Sequence, residues 1–448
     1  MAHSARLAAA AAIVLGLASA SLLLPWAPSY DPWAWLIWGR ELSELELDTT
    51  GGPSWKPLPV IFTLAFAAAG DAAPDLWLAV ARAGWIAGLA LCASLAAATV
   101  ARGGGGRAER VAAGALAAGA LLLLRDDITP WLRQFAGGIS EPLLVALCLG
   151  AVRLGLDGRH RAAFALGIGA AFLRPEAWPF LALYGVWLWR SRKAGRLLVG
   201  LGFAGVLAAW FGPEVVGSGN LFTGAERARE GSGSPPVEAL EVLGRAAVLP
   251  LMAIWIGAAI AVGDAIRRRD RSLVLVAAGT AAWIVVVAVM AAFGWAGIPR
   301  FLAPAAAVLC ALGGAGIARL TATALSDARS RSAWPAIVAS AVVVLLLGQV
   351  PIRAIALGDH AAEATAISDS RAELLDLADT AGPAAIRSCE AIVLSSFGEH
   401  TALAWRLRVP PGAIRISDEP PPRGAFFVED GDGWRVELGT PNCAGETS

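Results

Sequence analysis

The sequence predicts an all-α polytopic membrane protein of about eleven transmembrane helices, with a small α/β extracytoplasmic domain at its C-terminus. Three observations predict it. Of 448 residues, 57% are apolar and only 16% are charged, against about a quarter charged in ordinary soluble domains. Long apolar runs recur near the length that a bilayer core of about 30 Å demands, roughly 20 residues per helix and fewer inside a bundle. After residue 350 the pattern changes to mixed charge and short alternating segments. The net charge is zero, so no basic field points to nucleic acid as a partner.

The apolar runs place spans at 7–25, 75–101, 110–124, 140–156, 162–173, 176–189, 197–212, 245–263, 273–293, 301–318 and 334–350. The first resembles a signal peptide, with Ala18-Ser19-Ala20 as a cleavage-like site. It reads as an uncleaved span, because its positive end is thin and the apolar run continues through Leu24. Residues 57–70 are apolar but short, led by proline and followed by Asp71. They are expected to lie along the outer interface rather than to cross. Residues 1–350 then form a transmembrane domain, with 26–74 as its first external loop, and 351–448 form the extracytoplasmic domain.

Alternate loops differ in basic residues. The set containing Arg102, Arg107, Arg110, Arg190, Lys193, Arg267 and Arg268 carries 18 Lys and Arg, and the other set, up to the last span, carries 8. Cytoplasmic loops hold the excess. The expected placement is therefore a multi-pass plasma-membrane protein with its N-terminus in the cytoplasm and its C-terminus outside. The segment 213–244 reads as a long outer loop, mixing coil with a short helix around Glu226–Glu230, and Gly103–Gly106 as a cytoplasmic turn without the spacing of a phosphate loop.

In the tail, Ala361–Thr380 has helical periodicity, and 391–395, 413–416, 424–428 and 434–438 read as strands. Cys92, Cys148 and Cys310 fall in apolar spans and read as buried small residues. Cys389 and Cys443 lie in the tail, where an oxidising compartment permits a disulfide.

Charged residues beside span ends on the outer side carry the functional signal, because a charge at the bilayer is costly. Asp31, before Pro32, has two compatible readings: the N-cap of a helix over 32–46, or a general base that takes a proton from an acceptor hydroxyl. Lys56, between Trp55 and Pro57, either snorkels to the interface or contacts a phosphate. Arg174 and Glu176 in Leu173-Arg174-Pro175-Glu176 pair with each other or serve a ligand. Arg300, in Gly297-Ile298-Pro299-Arg300, suits bidentate binding of a donor phosphate or a salt bridge. Glu141 caps its helix or binds a sugar. Asp126 and Asp127 hold substrate or metal, or are simply solvated; adjacent carboxylates are a weak metal signal, and no metal is assigned. Trp26, Trp33, Trp35, Trp38, Trp55, Trp131 and Trp178 read partly as an interfacial belt, with Trp55 a candidate for stacking on substrate. No hydrolase or nucleotide-binding pattern is present, and no cofactor is expected.

This set resembles the integral-membrane glycosyltransferases of the GT-C fold, nearest the protein mannosyltransferase and aminoarabinose transferase branch. Asp31 matches the family's acid in the first external loop. Lys56-Pro57-Leu58-Pro59 matches its basic Pro-rich element, Gly70 its glycine, and Ala81-Arg82 the Arg entering the second span. Gly297 through Pro304 resembles the late Arg-aromatic element. The acid here is single, and the basic element reads Lys-Pro-Leu-Pro. The resemblance implies inverting transfer of a hexose or pentose from a polyprenyl-phosphate donor to an extracytoplasmic acceptor, a cell-envelope glycan, lipid or protein. The Arg- and Ala-rich, Lys-poor composition suggests a bacterial source, with decaprenyl or undecaprenyl phosphate as carrier. Two other readings compete: a transporter or flippase of a lipid-linked saccharide, and a non-catalytic envelope assembly subunit. No internal repeat supports a transporter.

Overall fold

The computed structural model describes residues 2–25, 28–125, 130–191, 195–229, 235–326, 333–430, 433–439 and 443, with backbone alone at 2–7, 235–236 and 326. The helices run in chain order α1 (Ala2–Ala20), α2 (Tyr30–Glu44), α3 (Pro57–Phe66), α4 (Ala73–Arg102), α5 (Arg107–Leu122) and α6 (Trp131–Gly137). Next come α7 (Glu141–Leu156), α8 (His160–Ala171), α9 (Trp178–Ser191), α10 (Arg196–Ser218), α11 (Thr223–Arg227) and α12 (Pro235–Val248). The rest are α13 (Met252–Arg267), α14 (Arg271–Ala292), α15 (Ala303–Ser326), α16 (Trp334–Ala381), α17 (Pro383–Arg387) and α18 (His400–Leu407).

Among the described residues, five helical stretches are long and apolar enough to cross a membrane, or seven if each of two bent pairs is one span. Ten of the eleven expected spans each overlap one long helix, whereas 245–263 is divided between two. Leu249-Pro250 separates α12 from α13, and the two meet at 83°, because proline lacks the N–H and clashes with the preceding turn. Residues 213–244 are not a long loop either: α10 continues to Ser218, and α11 and α12 follow. Between α3 and α4 the chain breaks at Gly70, whose φ of 57° and ψ of −124° are non-helical, so 57–66 is not a straight extension of α4.

The bundle packs around α15, which is 94% buried in its most apolar stretch. Small residues allow this. A Cβ on Gly316 would lie 1.8 Å from the Gly257 carbonyl oxygen, and one on Gly314 would lie 2.7 Å from that of Ala113. Close backbone approach of this kind drives helix association where lipid offers no hydrophobic contrast.

The expected tail helix is the last part of α16, which runs unbroken through Pro351 to Ala381. The change of character near residue 351 therefore lies inside one helix rather than at a linker. The expected strands are present as β1 (Ile392–Leu394), β2 (Ile414–Ile416), β3 (Ala425–Asp430) and β4 (Gly433–Leu438). Their order is β2-β1-β3-β4, with β1 parallel to β2 and β3, and β3 antiparallel to β4. Phe427, Leu394 and Leu374 are fully buried between sheet and helix. Cys389 and Cys443 are disulfide-bonded, with Cα atoms 4.4 Å apart, and the other three cysteines are free.

The tail domain is fastened to the start of the transmembrane domain. Thr401 donates its hydroxyl to the Tyr30 carbonyl at 2.9 Å, and Arg40 donates to the Trp405 carbonyl at 3.2 Å while stacking on its ring. The tryptophans read as a belt are instead a core. Trp33, Trp35, Trp38, Trp55 and Trp131 are all at most 3% exposed, because α2 is covered by α3, α4 and α18. Trp178 is partly buried, and Trp26 lies outside the described residues.

Candidate functional site

Asp31, Lys56, Glu141, Arg174, Glu176 and Arg300 come together at the end of the bundle that carries the tail domain. Each stands at the start of a helix, and proline adjoins all six, Pro175 lying between Arg174 and Glu176. Pro32, Pro57, Pro142 and Pro175 follow Asp31, Lys56, Glu141 and Arg174, and Pro299 precedes Arg300. A residue before proline is pushed out of the helical region, and proline fits the first turn, where its missing N–H is not needed. Lys56 (φ −137°) and Arg174 (φ −150°) are extended, just ahead of α3 and of the 3₁₀ turn Pro175–Ala177. Glu141 opens α7 after a sharp turn in which Gly138 adopts φ 62°, and α6 and α7 meet at 111°. Arg300 lies in the 3₁₀ turn Pro299–Leu302 that leads into α15. The positive ends of several helix dipoles thus face one small volume, which favours an anion there.

Asp31 is not the N-cap. That place belongs to Ser29, and Asp31 lies inside the first turn of α2. Its carboxylate is directed at Lys56 (3.6 Å) and Arg300 (3.9 Å). Glu141 is fully buried and is not a cap either. Its Oε1 is shared by Lys56 at 3.3 Å, Arg174 at 3.7 Å and Arg300 at 3.9 Å. Arg174 donates to Glu176 at 2.8 Å, and its guanidinium carbon sits 3.4 Å from the centre of the Phe301 ring. Lys56 also donates to the Ser140 hydroxyl at 3.2 Å and lies 5.0 Å from the Trp35 ring centre.

Six formal charges cancel here, three of each sign, yet hydrogen bonding is incomplete. Contacts of 3.6–3.9 Å are ion pairs too long to be hydrogen bonds. Arg174 Nε and one oxygen each of Glu141 and Glu176 are buried without a hydrogen-bond partner. Buried polar groups are normally satisfied, and exceptions need a cause. Burial pushes the Lys56 ammonium below its usual pKa, against the pull of Glu141 and Asp31. Each cation is thus held near at least one carboxylate.

Of the other predicted residues, Trp55 lies beside the cluster but is packed on Trp38, and its indole N–H donates to the Ala209 carbonyl at 2.9 Å. Asp126 and Asp127 lie outside the described residues. Among the described residues, no three metal-ligating side chains converge. Sequence reasoning missed Ser140, Trp35 and Phe301 as neighbours of the cations. Trp35 carried a signal, standing four residues after Asp31 and hence on the same helix face.

It also missed the clamp that fixes Lys56. Arg227 donates to the carbonyls of Thr49 (3.0 Å), Thr50 (2.7 Å), Gly51 (3.4 Å) and Pro53 (3.1 Å). Ser54 donates to the Gly224 carbonyl at 2.9 Å, and Leu58 N–H to the Phe172 carbonyl at 3.2 Å. A cavity of about 360 Å³ lies at the opposite end of the bundle, bordered by Arg102, Asp264, Asp270 and Arg319. Its charges neutralise each other in pairs, and it contains none of the predicted residues.

No family model and no curated protein matches the chain. Among solved structures it is similar to ArnT from Cupriavidus metallidurans bound to undecaprenyl phosphate, with TM-score 0.51 and 16% identity, over 91% of this chain and 85% of that one.

Arg227→Ala removes hydrogen bonds from a charged donor, each worth about 1.5–3 kcal/mol. Amide hydrogen exchange over 49–55 is expected to quicken at least about tenfold, while β3 stays protected. Lysine is not expected to restore protection, since it lacks the planar fork that spans several carbonyls. Unchanged exchange in Arg227→Ala would show that the loop is held by other contacts. The chain shares the helical fold of ArnT.

Proposed function

We propose that the chain is an integral-membrane glycosyltransferase that moves a sugar from a polyprenyl-phosphate donor to an acceptor outside the cytoplasm. The observation that carries this reading is the joining of Asp31 to Lys56 and Arg300, and of Glu141 to Lys56, Arg174 and Arg300, at a set of converging helix starts. ArnT, which shares the fold, binds undecaprenyl phosphate, and a lipid of that class suits this cluster.

In the reaction, the bond between the anomeric carbon and the phosphate oxygen breaks, and a bond from that carbon to an acceptor oxygen forms. Asp31 takes the proton of the acceptor hydroxyl. The leaving polyprenyl phosphate gains one negative charge, and Lys56, Arg174 and Arg300 offset it. Fixed cations of this kind act more strongly on the transition state than on the bound donor. Glu141 and Glu176 hold the cations in place before the donor arrives and contact the sugar hydroxyls. Attack opposite the leaving phosphate inverts the anomeric centre. Sugar, acceptor and linkage are set by residues around this core.

Three experiments test this. In transfer from a synthetic polyprenyl-phosphate sugar by purified protein, Asp31→Asn should lower turnover by about 10²–10⁴, and Arg300→Ala should weaken both donor binding and turnover. Wild-type turnover in Asp31→Asn would remove Asp31 from catalysis. The second concerns pH. The Lys56 ammonium is needed charged, and burial lowers its pKa from 10.5, so affinity for polyprenyl phosphate should be present at neutral pH and lost on the alkaline side, earlier than for an ordinary lysine. Lys56→Arg stays charged throughout and should abolish that limb; its persistence in the variant would assign it elsewhere. The third concerns orientation. Gly105→Cys should label only from the cytoplasm and Thr50→Cys only from outside, and the reverse pattern would put the cluster on the wrong side of the membrane for an extracytoplasmic acceptor.

A further inference from the structure

Tyr30 stands one residue before Asp31, and consecutive side chains on a helix diverge by about 100°. Asp31 turns toward Lys56 and Arg300, whereas Tyr30 turns toward the tail domain. Its ring centre lies 4.9 Å from that of Phe397 and 4.8 Å from that of His400, and those two are 5.2 Å apart. The group is held firmly. Thr401 is bonded to the Tyr30 carbonyl at 2.9 Å, His400 Nδ1 lies 2.7 Å from the Phe397 carbonyl, and Arg371 donates to Glu399 at 2.7 Å. Phe397 is nevertheless 61% exposed while His400 beneath is buried. An apolar ring is thus kept open against Tyr30, the residue next to the partly open Asp31 carboxylate.

We propose that Tyr30 and Phe397 form a saccharide-stacking subsite that receives the acceptor, so that the acceptor presents a sugar ring. The proposal rests on the glycosyltransferase reading of Asp31. A pyranose has a face of polarised C–H groups, which packs on the electron-rich face of an aromatic ring. A ring seated on Phe397 and Tyr30 lies next to the carboxylate that takes its proton, with the donor phosphate on the far side. The tail domain therefore supplies half of an acceptor site whose other half comes from α2.

The test is saturation-transfer NMR on the full-length protein in nanodiscs, without donor, using methyl α-mannopyranoside and methyl β-galactopyranoside as probes. Saturation of ring C–H protons is expected with at least one probe. Phe397→Ala should weaken its apparent affinity roughly tenfold, near the upper end for one aromatic contact, and Phe397→Trp should retain it. Phe397 is exposed, so its truncation leaves the core intact. Absence of transfer to both probes, or equal affinity in Phe397→Ala, would overturn the proposal. So would a spin label at Phe397→Cys that collides with oxygen in preference to an aqueous nickel chelate, since the ring would then face lipid. If Asp31→Asn loses transfer while Phe397→Ala binds like wild type, the subsite fails and the transferase reading stands. If binding depends on Phe397 in a protein that transfers no sugar, the transferase reading fails and the saccharide site stands.

Discussion

The structure is organised by the need to bury six charges in one place. Taking an ion pair out of water is seldom repaid by its own attraction, and removing one partner of a buried pair costs about 3–5 kcal/mol. Asp31, Lys56, Glu141, Arg174, Glu176 and Arg300 must therefore be positioned together or not at all. Helix starts meet this demand. They bring backbone N–H groups and the positive dipole end to the same point, and a proline beside each residue sets where the helix begins. Glu141, with no exposure to solvent, is tolerable only because three cations share its Oε1.

The rest of the molecule serves that point. Glycines on α15 and α13 let backbones touch, which packs the bundle closely enough for distant helix starts to meet. Trp33, Trp35 and Trp38 form a rigid layer below the first of them. Arg227 holds the loop before Lys56, and Arg82 ties the end of the first helix to α4 by donating to the carbonyls of Ser21 and Pro25. The tail domain closes the same end through Thr401 and Arg40. Within that frame Arg174 Nε and one oxygen each of Glu141 and Glu176 stay buried without a hydrogen-bond partner.

Much of this was legible in the sequence, for local reasons. A charge next to proline beside an apolar run announces a helix start at a membrane boundary, and all six site residues carry that signature. The four strands followed from alternation between proline and glycine. Contacts set by tertiary packing were hidden. Arg227 reaches Thr50 across 177 positions, and nothing near either residue hints at the other. The tryptophans of α2 looked interfacial because part of their covering, α18, comes from the far end of the chain. Asp31 had the composition of an N-cap, but the helix starts two residues earlier than expected, and this frees its carboxylate for the cations. The end of α16 looked separate because its exposed faces turn polar past Arg353, although the backbone continues unbroken.

The central claim is that the three cations form the seat of a lipid-linked phosphate. A cryo-electron microscopy structure of the full-length protein with a synthetic polyprenyl phosphate tests it most directly. The account predicts phosphate oxygens within hydrogen-bonding distance of Lys56, Arg174 and Arg300, with the Asp31 carboxylate turned away from the phosphate toward the open side. A phosphate bound elsewhere, for instance in the cavity beside Arg102 and Arg319, with the Lys56–Glu141–Arg174 contacts unchanged, would contradict it.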